Sequence, residues 1–195
     1  MVGCDLAAST SARYIIVVEK ETFFLHLINS GLFSEIPSIL VTGRGYPDTY
    51  TRQLVKKIGA EFPNLPALYF SDYDPHGVHI YLNFQKVCKR LKWAGIHHSD
   101  AKTFPLQVAI PFTNRDKTLV ERLKKANINT AVNHQLDKLL EGGQKFELEA
   151  LHTHGWNYAG REYLPMKMMK QTELISLDAP AADVTQQLDL ENQNV

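Results

Sequence analysis

Three carboxylates in this chain each stand just past an apolar run that reads as a buried strand. Glu19 follows Tyr14-Ile-Ile-Val-Val18, while Asp72 and Asp74 follow Pro66-Ala-Leu-Tyr-Phe-Ser71. A further run of this kind, Ser38-Ile-Leu-Val-Thr42, opens into Gly43-Arg44-Gly45-Tyr46-Pro47-Asp48. Carboxylates crowded on one edge repel, and a proton or a cation must offset that. A hard divalent ion with oxygen ligands, Mg2+ above all, does so while keeping waters and open positions for phosphate oxygens. Such an ion stabilises charge on a phosphoryl group in transfer. Lys20 and Arg44 add cations that suit a phosphate backbone, Arg44 as a planar fork between glycines that permit close approach. Cysteine or histidine ligand spacing is absent from these loops, which disfavours zinc.

Each feature has a plainer reading when taken alone. An Asp-x-Asp after a strand is commonly a turn with capping carboxylates. Glu19 can serve the start of the following helix through its dipole. Gly43-x-Gly45 does not complete a dinucleotide-binding fingerprint and suits a simple turn. His76 and His79, one helical turn apart, fit either a shared metal or a solvated surface. His97-His98 and His152-x-His154 read as solvent-facing, and Tyr14, Tyr69 and Tyr81 as packing residues. What favours chemistry is coincidence, since all the phosphate-relevant groups fall at the ends of successive strands.

The elements that must position these groups follow from periodicity. The three apolar runs are continuous rather than alternating, the mark of strands buried on both faces. Residues 20–30 place Phe23, Phe24, Leu27 and Ile28 on one helical face before Gly31. Asp48 and Thr49 cap a helix to about Phe62, with Tyr50, Leu54, Val55 and Ile58 inward. Gly77 to Trp93 reads as a third helix carrying Ile80, Phe84, Val87 and Leu91. Strand–helix repeated three times predicts an α/β fold, a parallel sheet flanked by helices. In such sheets ligands bind at the carboxyl ends of the strands, which is where Glu19, Arg44 and Asp72 stand. Beyond a short strand at Gln107–Pro111, the second half reads as helices over 114–126, 130–141, 144–153 and 157–169, separated by Gly142-Gly143 and Gly155.

The chain has 195 residues, 44% hydrophobic and 10% aromatic, with 21 Lys and Arg against 21 Asp and Glu. Residues 171–195 hold five acids and no Lys or Arg, so residues 1–170 carry a net charge of +5. That tail is rich in Gln and Asn and reads as disordered, as does a leader over residues 1–12. The organisation expected is a leader, a globular part over 13–170 with a C-terminal helical extension, and an acidic tail. Cys4 and Cys88 fit no ligand spacing and read as unpaired thiols. No apolar run reaches the ~20 residues of a membrane span, and the start lacks a signal-peptide core.

Together the residues resemble a known family. Val18-Glu19-Lys20-Glu21, Val41-Thr42-Gly43-Arg44-Gly45-Tyr46-Pro47-Asp48 and Asp72-x-Asp74-Pro75-His76-Gly77 are similar to the Toprim domain, in the version found in the topoisomerase VI A subunit and its meiotic double-strand-break relative. Further matches are Arg52-x-Leu54 with Lys56-Lys57, Leu91-x-Trp93-x-Gly95, Pro111-Phe-Thr-Asn-Arg-Asp116, Lys145-Phe-Glu-Leu-Glu149-Ala-Leu151 and Tyr163-Leu-Pro165-x-Lys167, in order across residues 14–170.

The resemblance implies a Toprim, Rossmann-like sheet in which Glu19, Asp72 and Asp74 bind Mg2+. It implies DNA as substrate, with Lys20, Arg44 and His76 beside it, and a 5′-phosphotyrosyl link formed when a tyrosine attacks the phosphate. It further implies a homodimer, a partner resembling the topoisomerase B subunit, and work in the nucleus for the meiotic relative. The family's nucleophilic tyrosine lies on a winged-helix domain ahead of the Toprim domain. Only about 13 residues precede the first strand here and no tyrosine matches that motif, so no nucleophile is assigned. Arg44 stands where the family often has Lys, and the loop after the helix at Gly77 looks shortened. Two other readings stay open. One is a non-catalytic Toprim-fold module that binds DNA or dimerises. The other is a phosphohydrolase with Asp72 as nucleophile and Asp74 as acid, although such enzymes carry that motif after their first strand.

Overall fold

The computed structural model describes residues 10–126 and 129–170. Four parallel strands form the central sheet: β1 (Tyr14–Val18), β2 (Ser38–Thr42), β3 (Ala67–Phe70) and β4 (Lys92–Trp93), in the order β2-β1-β3-β4. The two central strands are buried along almost their whole length, as their unbroken apolar runs require. Register makes the sheet end flush. Val18 is level with both Thr42 and Phe70, so Glu19, Gly43 and the Ser71–Asp72 turn leave the sheet side by side.

The helices between them are α1 (Glu21–Asn29), the short α2 (Leu32–Glu35), α3 (Thr49–Glu61) and α4 (Pro75–Gln85). Asp48 caps α3 by accepting from the Thr51 N–H at 2.7 Å, as its type and position predict. The inward faces are narrower than periodicity suggests. Phe23 and Leu27 of α1 are buried while Ile28 is 50% exposed. In α3, Val55 and Ile58 are buried, but Tyr50 is 86% and Leu54 43% exposed.

The expected helix to Trp93 ends early. α4 stops at Gln85, whose Nε2 donates to Lys89 O, and Lys92–Trp93 becomes the edge strand. Helical spacing of Leu91 against Phe84 looks the same as a buried edge strand, and the open backbone of β3 takes the segment as its pairing partner. Trp93 fixes the outcome, fully buried with its indole N–H on Ser71 Oγ at 2.9 Å.

The second half runs through α5 (His98–Ala101), a 3-10 turn at Leu106–Val108, β5 (Ile110–Pro111), α6 (Asn114–Lys125), α7 (Thr130–Gly142) and β6 (Gln144–Lys145). A 3-10 stretch (Leu148–His154), a π-helical turn (Ala159–Tyr163) and α8 (Leu164–Met169) follow. Two corrections arise here. The strand expected over 107–111 is shorter and begins after the 3-10 turn. The helix expected over 144–153 is instead a strand pairing antiparallel with β5, then the 3-10 stretch. Phe146 explains this: it exchanges backbone hydrogen bonds with Tyr73, tying the segment to the loop after β3. Cys88 is a buried free thiol whose pKa burial pushes up. Cys4, most of the leader and the whole acidic tail lie outside the described residues. No helix among the described residues is long and apolar enough to cross a membrane.

Candidate functional site

The carboxylates expected to work together do meet at the sheet end, each steadied by a backbone N–H. Glu19 Oε2 accepts from Asp72 N at 3.3 Å, Asp72 Oδ1 from Leu148 N at 2.7 Å, and Asp74 Oδ1 from Gly77 N at 2.6 Å. Asp74 thereby caps α4, so the plain turn-and-cap reading holds in geometry alongside the chemical one. Gly77 is needed there, because a Cβ would lie 2.8 Å from Asp72 O.

Burial and mutual repulsion set the charges. Burial, then Asp72 and Asp74, push the Glu19 carboxyl up to about 8. Burial lifts Asp72 to about 6 against the pull of Lys20, and burial also raises Asp74.

Lys20 is not extended to solvent. Its Nζ lies 2.9 Å from Asp72 Oδ2, 3.2 Å from Glu147 Oε1 and 3.3 Å from Glu149 Oε2. Burial works against its charge, but Asp72 and Glu149 outweigh that and hold the ammonium above its ordinary range. Sequence reasoning misses Glu147 and Glu149 as site residues. Their alternation in Phe146-Glu-Leu-Glu149 is the available signal, with one side chain turned to the core and the next to the edge.

The Gly43-Arg44-Gly45 turn folds back onto β1: Gly45 N donates to Glu19 O at 2.8 Å, and a Cβ on Gly43 would fall 2.8 Å from Gly45 O. Arg44 takes the left-handed region at φ +53°, exposed, with Nη2 3.1 Å from Glu21 Oε1. Tyr46, also missed from sequence, joins the two histidines. Its hydroxyl is 2.9 Å from His76 Nδ1 and 3.1 Å from His79 Nδ1. Burial and the nearby Asp74 and Glu19 hold its phenol above the ordinary range. His76 is exposed, whereas His79 is buried, contrary to a solvated pair.

The other histidines depart from a solvent-facing reading as well. His97 packs edge-on to Trp93 at 4.9 Å, and burial with Lys167 nearby drives its imidazole down to about 3. His152 stacks on Trp156, and only His154 of that pair is exposed.

The donor set, carboxylate oxygens alone, fits a hard cation such as Mg2+ better than zinc. The rotamers here serve other partners, and among the described residues no three His, Cys, Asp or Glu side chains are arranged as metal ligands. One oxygen of each carboxylate is taken by a backbone N–H and the second Asp72 oxygen by Lys20, so ligation needs the side chains to turn.

A parallel sheet with a Glu after its first strand and an Asp-x-Asp after its third, flanked by helices, defines a Toprim-type α/β protein. Residues 14–168 match the family defined by the Toprim domain of the topoisomerase 6 A subunit and Spo11, and the chain belongs to that family. It is 31% identical over 173 residues to "Meiotic recombination protein SPO11-2" of Arabidopsis thaliana, covering 83% of this chain and 45% of that protein. It is 30% identical to the A subunit of DNA topoisomerase 6 from the same plant, covering 83% and 42%. It is 29% identical to "Meiotic recombination protein SPO11" of Homo sapiens, covering 82% and 44%. The chain thus spans less than half the length of these relatives.

Proposed function

We propose that this chain supplies the Toprim half of a DNA-strand-breaking protein of the type IIB topoisomerase kind, with residues 13–170 as the working unit. The observation that carries the reading is the meeting of Glu19, Asp72 and Asp74 at one sheet end, level with the Gly43–Gly45 turn. Glu19, Asp72 and Asp74 would hold Mg2+, which when bound supplies positive charge to the scissile phosphate and its leaving oxygen. Arg44 and His76, both exposed, meet the DNA backbone. Lys20 reaches a phosphate only by leaving Asp72; in place, it keeps that carboxylate ionised. The attacking tyrosine belongs to another domain, as the resemblance implies. A homodimer, an ATP-hydrolysing partner like the topoisomerase B subunit, and meiotic work in the nucleus complete the reading.

The test is calorimetric titration of Mg2+ into the wild type and Asp72→Asn with a short duplex present. Heat from the wild type alone supports the reading, and heat from neither sinks the metal role.

A second reading, a non-catalytic Toprim-fold module that binds DNA or dimerises, gains from one observation: Lys20 already neutralises Asp72 without any ion. It wins if amides at Glu19, Asp72 and Asp74 together raise stability and leave duplex binding unchanged.

A further inference from the structure

The hydroxyl of Tyr46 stands between two imidazoles, 2.9 Å from His76 Nδ1 and 3.1 Å from His79 Nδ1. Each imidazole meets the phenol ring nearly edge-on, with centroids 6.0 and 5.4 Å away at 88° and 75°. Both sides of this contact are held by their own segments. Tyr46 follows Gly45, whose φ is +92° and whose N–H donates to Glu19 O at 2.8 Å. Pro47 after it disfavours helical backbone at Tyr46, and Asp48 then caps α3. His76 and His79 lie in α4 behind Pro75 and the Asp74 cap, and three residues of separation put them on one helix face. The phenol therefore joins the turn after β2 to the helix after β3, the two strands that flank β1.

Counting hydrogens restricts what this cluster can be. A phenol has one hydrogen to donate, and an imidazole Nδ1 either donates or accepts. Tyr46 thus donates to one ring and accepts the Nδ1–H of the other. In neutral rings the two histidines then hold opposite tautomers, one with its hydrogen on Nε2 and one with a bare Nε2. His79 is buried, at 5% exposure, whereas His76 is exposed. Of the two, His76 is the one that can meet a ligand, and Nε2 is the ring nitrogen it has left. A phosphodiester oxygen accepts hydrogen bonds and has no hydrogen to offer a bare nitrogen. A phosphate contact therefore needs the hydrogen on His76 Nε2. In a neutral ring that leaves the lone pair on Nδ1, where the Tyr46 O–H meets it.

We propose that Tyr46 is a positioning residue: its hydroxyl accepts from His79 Nδ1–H, donates to His76 Nδ1, and so fixes His76 with an Nε2–H for a DNA phosphate. The inference rests on the DNA reading above and deepens it. The buried His79 anchors this chain of hydrogen bonds, because a ring held inside the packing of α4 keeps the phenol from turning away. Tyr46, although 48% exposed, acts through His76 and not by its own contact with DNA.

Two measurements test it. Proton–nitrogen correlation spectra of the imidazole rings, recorded without DNA on the wild type and Tyr46→Phe, read the tautomers directly, with His76→Ala to assign the signals. Expected are Nε2–H on His76 and Nδ1–H on His79 in the wild type. Tyr46→Phe keeps the ring, removes only the hydroxyl, and loses the fixed tautomer at His76. A bare His76 Nε2 in the wild type, or an unchanged His76 signal in Tyr46→Phe, overturns the proposal. A labelled duplex is then titrated, with Mg2+ present, into the wild type, Tyr46→Phe, His76→Ala and the double variant, and followed by anisotropy. Tyr46→Phe weakens binding about five-fold when His76 is present, the loss of one hydrogen bond, and less than about two-fold when His76 is gone. The same loss in both backgrounds also overturns the proposal, since Tyr46 would then meet the DNA itself. Absence of duplex binding by the wild type overturns the DNA reading and the use given to His76, while the ring spectra still decide the tautomers.

Discussion

The ammonium of Lys20 lies 2.9 Å from Asp72 Oδ2 and bridges, at 3.2 and 3.3 Å, to Glu147 and Glu149 more than 120 residues further along the chain. One side chain thus neutralises the central carboxylate and ties the 3-10 stretch to the end of β1. Asp72 is the hinge of this arrangement, since its other oxygen accepts from the Leu148 N–H. Lys20→Met removes the cation and leaves a buried carboxylate without its partner, which costs about 1–3 kcal/mol when the pair is only partly solvent-screened. Lys20→Arg restores most of that. Urea unfolding measures the loss, and hydrogen exchange at the Leu148 amide localises it. Unchanged exchange at Leu148 in Lys20→Met would show that the pair does not position this segment.

Glu19 carries the opposite sign of effect. Its folded value, about 8, lies above the ordinary 4.5, so folding favours its protonated form. The resulting stability is fully present below about pH 4.5 and is lost as pH rises towards 8. Glu19→Gln cannot ionise and escapes that loss. The variant melts higher than wild type at pH 8, by a few degrees or more, and the gap closes near pH 5. A gap that widens on acidification would refute the raised value.

What the sequence makes legible is the part governed by local pattern. The runs 14–18, 38–42 and 66–71 read as strands because both their faces are buried, and flush ends then place Glu19 beside Asp72 without further information. Lys92–Trp93 stays hidden because two residues of edge strand carry no period of their own. Tyr50 and Leu54 look inward on a helical wheel, yet only Val55 and Ile58 are buried, in a helix whose main packing partner is α4. The Lys20–Glu147–Glu149 bridge and the Tyr46–His76–His79 cluster join residues from distant elements. No spacing rule reaches across such separations, although each residue sits in or beside a motif that the family resemblance marks.

His97 titrates with a different sign again. Burial, then Lys167, hold its imidazole down at about 3, and its Nε2 is buried without a partner. The unfolded chain therefore binds a proton that the native state refuses. Stability is intact above pH 6.5 and falls as pH drops towards 3, by about 2 kcal/mol at pH 5. His97→Phe keeps a ring against Trp93 and removes the titration. Between pH 7 and pH 5 its midpoint in urea shifts less than that of the wild type; equal shifts would assign the acid sensitivity to another group.

Gly77 decides how closely α4 approaches the acidic loop. A Cβ there would stand 2.8 Å from Asp72 O and 3.0 Å from Ser71 Oγ, in a place where backbone cannot yield without moving Asp72 itself. Gly77→Ala should therefore cost about 1–3 kcal/mol through overpacking. It should also displace the Asp74 cap, which accepts from the same residue's N–H at 2.6 Å. Gly142 is the control: an added Cβ meets nothing within 4 Å, so Gly142→Ala late in α7 is neutral or slightly stabilising. If the acidic edge binds Mg2+, Gly77→Ala weakens the calorimetric affinity while Gly142→Ala leaves it alone. Equal affinity in both variants, with Gly77→Ala destabilised, would mean that the loop tolerates the shift and that the cation does not depend on the spacing of Asp72 and Asp74.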